Sequence, residues 1–384
     1  MSFTDLSVYT MSASPGSNWT FLRVVTEQGI VGWGEMTLRA HEAVLRAIVD
    51  DLRQQLIGKP LASAAPLRRA FPSIPSGRAG NAVVSALDQA LRDIEAQHLG
   101  CGIYAMQGGQ ERRRLPGYAT VNRRIRSRTP EGFAEGTSAA AKVGFTGVKI
   151  MPFDRIRPET CDTDEGRREI RTAIDRVFAV RDAVGRSVDL MVDCHWRLDR
   201  VAAEDFLEAL RPIGLFWLEA PMPESPPWLE TLAGLRRKAN AQGVLLAGAE
   251  NALGAAGFHQ FLVYPVYDVV MPDIKYCGGY GEFQRIHEVA FKYGVSVSPH
   301  NPSGPIAHAH TLHACTALGV DLRVEQQFEE SNLFWSAVEG EDTGLDQGGF
   351  QAPAGPGLGV RLRDEFLTNA YEQVPLNFAD PSFT

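Results

Sequence analysis

The chain has 384 residues, of which 44% are hydrophobic and 22% are charged, and its formal net charge is −8. This is the composition of a soluble globular protein with room for one large core and a smaller domain, and the mild charge argues against a surface that binds nucleic acid or membranes. Five cysteines without a paired spacing, and an N-terminus without a signal peptide, predict a cytoplasmic protein.

Residues 1–115 predict an α+β domain. Residues 21–26 and 30–35 read as two strands that turn at Gly29, and residues 40–107 are helix-like, with apolar side chains at helical spacing. Ahead of this hairpin, a loop of small residues ends in Trp19. Trp19 is either a core anchor or the tip of a mobile lid that contacts substrate, and the sequence favours neither.

Residues 116–330 repeat one unit, an apolar strand that ends in polar side chains. In residues 188–197, Asp193, His195 and Arg197 share one face of such a strand end. Strand–helix repetition predicts a parallel α/β fold, and polar residues at successive carboxyl ends of strands are typical of a barrel active site. The predicted strand ends carry Lys149, Asp193, Glu219, Glu250, Asp273, His300 and Glu325.

Residues 331–384 are rich in glycine and proline turns, but apolar residues continue among them. This pattern predicts a segment that returns to the first domain rather than a disordered linker.

Asp193, Glu219 and Glu250 lie at three successive strand ends. Three carboxylates brought together repel one another unless a divalent cation lies between them, and ligands that are all oxygen favour a hard ion such as Mg²⁺. Asp273 and His300 occupy the next two strand ends, and a carboxylate beside an imidazole fixes its tautomer and raises its basicity. The pair therefore predicts a general base.

In this order, the strand-end residues resemble those of the enolase superfamily, and more narrowly its mandelate-racemase-like subgroup. The phrases that are similar to it are Gly-Trp-Gly-Glu35, Trp-Leu-Glu-Ala-Pro221, Met-Pro-Asp273 with Gly278-Gly279, and Ser-Pro-His-Asn-Pro-Ser-Gly-Pro305. The resemblance covers nearly the whole chain. It implies a modified TIM barrel, (β/α)₇β, with an α+β N-terminal capping domain that the C-terminus completes, and it implies a homo-oligomer.

The resemblance also implies that Mg²⁺ holds one end of a carboxylate substrate. His300, oriented by Asp273, would remove the proton α to that carboxylate. Lys149 and Glu325 would bond the carboxylate oxygens as negative charge develops there, which is typically the largest catalytic contribution.

Two departures from the subgroup narrow the predicted reaction. Racemases of this kind carry a Lys-x-Lys pair, but here Met151 follows Lys149 on the same strand face, so racemisation by two bases is disfavoured. His195 lies where the family often has asparagine. His195 could protonate a departing 3-hydroxyl, contact a ligand of the metal without binding the ion itself, or hydrogen-bond a substrate hydroxyl. Alternatively, His300 could serve both steps if the elimination is syn.

The predicted substrate-binding residues are Trp19, Arg124, Arg197, Lys275 and Asn301. Arg197 and the Arg123–Arg124 pair could receive a distal carboxylate, which would favour an aldaric diacid such as galactarate or glucarate over an aldonic monoacid. The arginine-rich run 122–128 is nevertheless more typical of a solvated face than of a row of anion contacts. Lys275 could instead form a structural ion pair.

These features predict a Mg²⁺-dependent acid-sugar dehydratase that yields a 2-keto-3-deoxy sugar acid from a small-molecule substrate, without nucleic-acid or membrane partners. An epimerase or lactone cycloisomerase on the same scaffold is the alternative. A Schiff-base aldolase using Lys149 or Lys275, and a sugar-acid binding protein without catalysis, are hypotheses from other classes.

Overall fold

The computed structural model describes residues 2–59, 67–109, 113–319 and 323–367. Among them, none of the helices has the length and apolar character needed to cross a membrane. The five cysteines are all free, and four of them are buried.

An antiparallel sheet in the order β1-β2-β3 and a layer of helices form the N-terminal part. The helix Arg78–Leu99 packs directly on the strand Val31–Glu35. The two backbones are so close that a Cβ at Gly32 would overlap the carbonyl oxygen of Ala90, and a Cβ at Gly34 would overlap that of Ala86. Glycine is therefore required at both positions, and the predicted hairpin at Gly29 is confirmed. The elements are β1 (Phe3–Ser14), β2 (Ser17–Thr26), β3 (Val31–Glu35), α1 (Glu42–Leu56), α2 (Leu67–Ala70), α3 (Arg78–Leu99) and α4 (Ile103–Met106).

A curled sheet of eight parallel strands follows, with one helix between each strand and the next. The hydrogen-bonded order runs from β10 back to β4 and then to β11, and the Ser298 hydroxyl donates to the Arg323 carbonyl oxygen across the two ends of the ladder at 2.9 Å. The predicted (β/α)₇β architecture is confirmed. Its elements are β4 (Leu115–Thr120), α5 (Pro130–Lys142), β5 (Gly147–Ile150), α6 (Asp164–Val184), β6 (Asp189–Asp193), α7 (Arg200–Ala209), β7 (Trp217–Glu219), α8 (Leu229–Asn240), β8 (Leu245–Gly248), α9 (Gly254–Val263), β9 (Val269–Val270), α10 (Tyr280–Lys292), β10 (Ser296–Val297), α11 (Pro305–Leu318) and β11 (Val324–Gln327).

Three of the seven barrel helices, α5, α6 and α7, begin at a capping side chain. Thr129, Thr163 and Asp199 each accept a hydrogen bond from a backbone N–H in the first turn of α5, α6 and α7. Such caps fix where each helix starts and so fix the length of the loop that carries the strand-end side chains.

The described C-terminal residues touch both parts of the molecule. β13 pairs with the start of β4, and the Leu358 N–H donates to Asp93 on α3 at 2.8 Å. These contacts agree with a return to the first domain, whereas the boundaries at residues 115/116 and 330/331 stay predictions. The elements are α12 (Leu333–Ser336), β12 (Val338–Gly340), β13 (Gly349–Phe350) and β14 (Val360–Leu362), with short 3₁₀ turns at Pro158–Thr160, Arg211–Ile213, Pro226–Trp228 and Asp364–Phe366.

A buried carboxylate joins the N-terminal capping domain, called the cap below, to the barrel. Glu35, at the end of β3, accepts hydrogen bonds from the backbone N–H groups of Gly304 (2.8 Å) and Ala307 (2.9 Å) at the start of α11. The N-terminus of a helix favours negative charge, so Glu35 stabilises this junction. The junction lies only four residues after His300 and thereby fixes the loop that carries it.

Three buried histidines on α11 make a second set of contacts between the parts. Nε2 of His308, His310 and His313 lies 3.2, 2.9 and 3.1 Å from the backbone carbonyl oxygens of Thr343, Trp33 and Leu358 respectively. The other ring nitrogen of each also has a hydrogen-bond partner within the protein. These residues are therefore structural, and they bind the barrel to the cap and the C-terminal segment.

Lowering the pH is expected to destabilise the fold through these histidines. Burial lowers the pKa of His308 to about 4 and that of His310 to about 3, whereas an unfolded histidine titrates near 6.5. The unfolded state therefore takes up protons that the folded state resists. Stability present above pH 6.5 is lost as the pH falls towards 4, by about 1.4 kcal/mol per pH unit for each histidine.

Urea unfolding between pH 7 and pH 4.5 measures this slope. His310→Gln should flatten it, and His98→Gln, at an exposed position, should leave it unchanged. An equal slope in wild type and His310→Gln would contradict the assignment.

Candidate active site

A cleft of about 100 Å³ opens at the carboxyl ends of the barrel strands. It is lined by Thr120, Asn122, Arg123, Lys149, Met151, Asp193, His195, Glu250, His300, Pro302, Glu325 and Gln327. A larger cavity of about 900 Å³ lies near Trp33 and Val360, and none of the polar strand-end residues of the barrel lines it. The chemistry is therefore concentrated in the smaller cleft.

Lys149 is the central cation of the cleft. Its Nζ lies 2.8 Å from Oε1 of Glu219 and 2.9 Å from Oε1 of Glu325, and all three side chains are at most 2% exposed. Burial alone would lower the pKa of Lys149, but the two carboxylates raise it well above its usual value. Lys149 therefore stays charged.

Glu325 accepts hydrogen bonds from several donors at once. Oε1 accepts from the Thr120 hydroxyl and Oε2 from the Asn301 backbone N–H at 2.9 Å. Although burial would raise it, the pKa of Glu325 is lowered to about 2 by Lys149, His300 and these hydrogen bonds. An ionised carboxylate accepts and does not donate, so Glu325 holds Lys149 in place.

His300 lies between two carboxylates. Nδ1 is 2.8 Å from Oδ2 of Asp273, and Nε2 is 3.3 Å from Oε2 of Glu250. Burial would raise the pKa of Asp273, but Lys275 and His300 lower it, so Asp273 is ionised and accepts the Nδ1 proton. We assign this tautomer from the hydrogen bonds. It leaves the Nε2 lone pair in the cleft, which is the arrangement of a general base.

A tyrosine and an arginine that were not predicted from the sequence support His300. The Tyr276 hydroxyl lies 3.1 Å from Nδ1 of His300. The guanidinium of Arg78, the first residue of α3, lies 4.1 Å from the centre of the Tyr276 ring and donates to Oδ1 of Asn251 at 2.6 Å. Arg78 belongs to the cap and is far from the barrel in sequence, so only the folded chain brings these residues together.

The three predicted metal ligands are neighbours but are engaged with the protein. Asp193 pairs with Glu219 in the β6–β7 register, and Glu250 follows β8. Glu219 accepts from Lys149 and, through Oε2, from the Trp217 indole at 3.0 Å. Within the described ranges, no three side chains of metal-binding type are already grouped as a metal site.

The electrostatics of these carboxylates nevertheless favour a cation. Burial raises the pKa of Glu219 well above its usual value, and repulsion from Asp193, Glu325 and Glu250 raises it further against the opposing effect of Lys149. Burial likewise raises the pKa of Asp193. Excess negative charge on hard oxygen ligands is the chemistry that suits Mg²⁺. The donor set therefore fits the ion.

Backbone strain is concentrated around the same residues. Four residues other than glycine adopt left-handed φ angles beside them: His195 (50°), Trp196 (61°), Ala220 (40°) and Ala249 (68°). Such conformations cost free energy and persist where surrounding contacts impose them, most often at functional sites.

His195 lines the cleft beside Asp193, whose Oδ1 accepts its backbone N–H at 2.8 Å. Burial lowers the pKa of His195 to about 4, although Glu250 opposes the shift. The imidazole is therefore neutral near pH 7 and offers one N–H donor.

The structure places two arginines that were predicted to bind substrate, Arg124 and Arg197, outside the cleft lining. Arg124 points outward and pairs with Glu329 at 2.6 Å. Arg197 donates to the Ile156 carbonyl oxygen at 3.2 Å, and neither arginine lines the cleft. Strand alternation predicted the face of Arg197, but nothing in the sequence predicted these partners.

Trp19, Lys275 and Asn301 are also placed outside the cleft lining. Trp19 is 1% exposed and makes an edge contact with Phe334 at 6.1 Å between ring centres, which favours its interpretation as a core anchor over that as a lid tip. Lys275 is buried in an ion pair with Asp273 at 2.7 Å. The Asn301 side chain donates to the Glu325 carbonyl oxygen at 2.8 Å. Lys275 and Asn301 thus contact two catalytic candidates, Asp273 and Glu325, on the side away from the cleft.

Other polar residues line the cleft in their place. They are Thr120, Asn122 and Gln327, which the sequence did not single out, and Arg123, which belongs to the predicted Arg123–Arg124 pair. Nη1 of Arg123 lies 2.8 Å from Oε2 of Glu330, which is 3% exposed. The charge of Arg123 is therefore offset within the protein, and the lining away from the carboxylates is polar and largely neutral.

Two family models match the chain. Residues 133–366 match the enolase C-terminal domain-like model, and residues 4–108 match the N-terminal domain of the mandelate racemase / muconate lactonizing enzyme family.

Curated relatives and solved structures cover almost the whole chain. The D-galactonate dehydratase of Pectobacterium atrosepticum is 27% identical over 385 residues, which cover 98% of this chain and 96% of the relative. That of Xanthomonas oryzae pv. oryzae is 28% identical over 383 residues, with the same shares. A member of the enolase superfamily from Salmonella Typhimurium is 25% identical, with a TM-score of 0.82 over 95% of this chain and 97% of that one. A mandelate racemase/muconate lactonizing enzyme from Jannaschia is 24% identical, with a TM-score of 0.81 over 95% and 96%.

Proposed function

Because the chain belongs to the enolase superfamily, in its mandelate racemase / muconate lactonizing enzyme family, we propose that it is a hydro-lyase that dehydrates an acid sugar to a 2-keto-3-deoxy acid. One observation carries the proposal. The cleft has a base on one side only, His300 with Asp273, while Met151 occupies the lining position where racemases of the group have a second lysine. The relatives that are named dehydratases support the same reaction.

We propose an aldonate, such as D-galactonate, as the substrate. The relatives act on D-galactonate by name, and the paired charges of Arg123 and Arg124 offer no free cation for a second carboxylate. The neutral polar lining suits the hydroxyl groups of an aldonate tail. This replaces the diacid that the arginine-rich run suggested.

Asp193, Glu219 and Glu250 would hold Mg²⁺. The ion, when bound, would offset the charge of the substrate carboxylate and the further negative charge that develops there during the reaction. Lys149 would donate to the same carboxylate group, and Glu325 would keep Lys149 oriented rather than bond the substrate itself.

His300 would remove the α-proton through Nε2. Asp273 fixes the tautomer and stabilises the imidazolium that forms, as an ionised carboxylate at 2.8 Å does. The C3–O bond would then break, and the hydroxyl would leave as water after it takes one proton. Either His300 returns the α-proton to the hydroxyl in a syn elimination while neutral His195 hydrogen-bonds that hydroxyl, or a protonated His195 supplies the proton and His300 later releases the α-proton to solvent.

A substrate screen tests the proposal. Aldonic and aldaric acids are incubated with the enzyme and Mg²⁺, 2-keto acids are detected with semicarbazide, and a parallel sample contains EDTA. We expect keto acid from an aldonate, lost with EDTA and restored by Mg²⁺. Solvent deuterium in recovered substrate without keto acid would instead identify an epimerase or cycloisomerase, and borohydride trapping of a carbonyl substrate an aldolase.

We also propose a cytoplasmic location, which the five free cysteines support. The homo-oligomer implied by the family stays a prediction.

A further inference from the structure

A carboxylate outside the cleft lining connects the strand ends that carry the candidate ligands. Glu224 lies five residues after Glu219, in the loop that follows β7, and the residue as a whole is partly buried. Oε1 of this carboxylate accepts hydrogen bonds from the Ala249 backbone N–H and from the Tyr267 hydroxyl, both at 2.6 Å. The carboxyl group is therefore directed into the protein.

Besides Tyr267, Glu224 interacts with Ala249 and Trp196, which both lie in strained backbone beside the site. Ala249 is in the left-handed region and immediately precedes Glu250. The Trp196 side chain lies close enough to Glu224 to lower the pKa of that carboxyl group. Trp196 is left-handed as well and immediately follows His195. One carboxylate thus fixes the backbone on either side of the cleft.

The chain also leaves space for this contact. A Cβ on Gly248 would lie 2.6 Å from Oε1 of Glu224 and would overlap the Tyr267 ring, although Gly248 itself does not require a left-handed φ. Glycine at the end of β8 is explained by the approach of Glu224 and Tyr267. Burial raises the pKa of Glu224 to about 7, so keeping this carboxyl group ionised at its position has an electrostatic cost.

We propose that Glu224 is a positioning residue that fixes the backbone from which Glu250 and His195 project. This inference rests on the proposed function, because Glu250 is there a metal ligand and His195 a donor to the leaving hydroxyl. Glu224 contacts neither side chain and acts through Ala249 and Trp196. Residues that hold metal ligands in this way typically change metal affinity 10–100-fold when they are removed.

Mg²⁺ titration by calorimetry tests the proposal on Glu224→Ala, Glu224→Gln and wild type. We expect Glu224→Ala to bind Mg²⁺ about 10–100-fold more weakly, and Glu224→Gln to recover most of the affinity because its amide oxygen still accepts from Ala249. Hydrogen exchange in a peptide spanning residues 245–252 should be faster in Glu224→Ala than in wild type. In turnover, kcat should fall more than KM rises, since His195 is displaced as well.

Glu282→Ala is the matched control. Glu282 is also partly buried and accepts a backbone N–H, that of Ala255 at 2.9 Å, but it holds no residue next to a candidate ligand. Its Mg²⁺ affinity should equal that of wild type. A folded Glu224→Ala that binds Mg²⁺ as wild type does overturns the inference alone. A wild type that binds no Mg²⁺ overturns the proposed metal site, and the inference with it.

Discussion

His300→Asn is expected to lower kcat for keto-acid formation by about 10²–10⁴-fold, the usual contribution of a positioned general base. Asparagine keeps a side chain of similar reach that can still bond Asp273, so the fold should be retained, but it cannot take a proton. Exchange of the α-proton with solvent deuterium should be lost together with elimination. Semicarbazide assay and mass spectrometry of recovered substrate measure the two effects.

Three further variants make this result specific to proton abstraction. Tyr276→Phe removes the hydroxyl 3.1 Å from Nδ1 of His300 and should lower kcat about fivefold, because one neutral hydrogen bond contributes on the order of 1 kcal/mol. Tyr280→Phe removes a buried hydroxyl that bonds His310 instead and should leave kcat near wild type. His195→Asn should keep α-proton exchange while elimination slows. Undiminished exchange in His300→Asn would remove His300 as the base.

The parts of the site that the sequence predicted are those set by a single strand. Asp193, Lys149 and His300 follow apolar runs, and alternation along a strand tells which side chains share a face. Because carboxyl ends of parallel strands meet at one rim of a barrel, their convergence follows from the fold without any knowledge of contacts.

The parts that failed depend on partners from distant elements. Arg124 was a plausible anion contact until folding placed Glu329 beside it, 205 residues further along the chain. Arg78 and Tyr276 come together only because the cap docks on the barrel. Trp19 illustrates the same limit, since a large aromatic after a small-residue loop reads alike whether it fills a core or covers a site.

Lys149→Met is expected to lower the free energy of unfolding at neutral pH by about 3–5 kcal/mol, the usual cost of leaving a buried charge without its partner. Glu219 and Glu325 are each 1% exposed, and both would lose the ammonium group that bonds them. Methionine keeps most of the volume of the side chain, so the loss measures charge rather than a cavity. Urea unfolding followed by circular dichroism gives the difference.

The pH dependence of that loss distinguishes charge from packing. In wild type the pKa of Glu325 is lowered to about 2, whereas in the unfolded chain it is near 4.3. The ion pair with Lys149 therefore contributes its full stability above pH 4.3, and this contribution is lost as the pH falls towards 2. The gap between wild type and Lys149→Met should therefore shrink on acidification, whereas a packing defect would persist. Lys142→Met, at an exposed position on α5, should match wild type throughout.

Mg²⁺ should offset part of this destabilisation if the three carboxylates hold it. The ion would bind folded Lys149→Met and not the unfolded chain, so saturating Mg²⁺ raises the unfolding free energy by mass action. Activity should not return, because the substrate carboxylate would still lack the Lys149 donor. A Lys149→Met protein that is as stable as wild type without Mg²⁺ would show that Glu219 and Glu325 are protonated in the folded state, and Lys149 would then be dispensable for folding. Stability restored without activity would assign Lys149 to catalysis and the carboxylates to the ion.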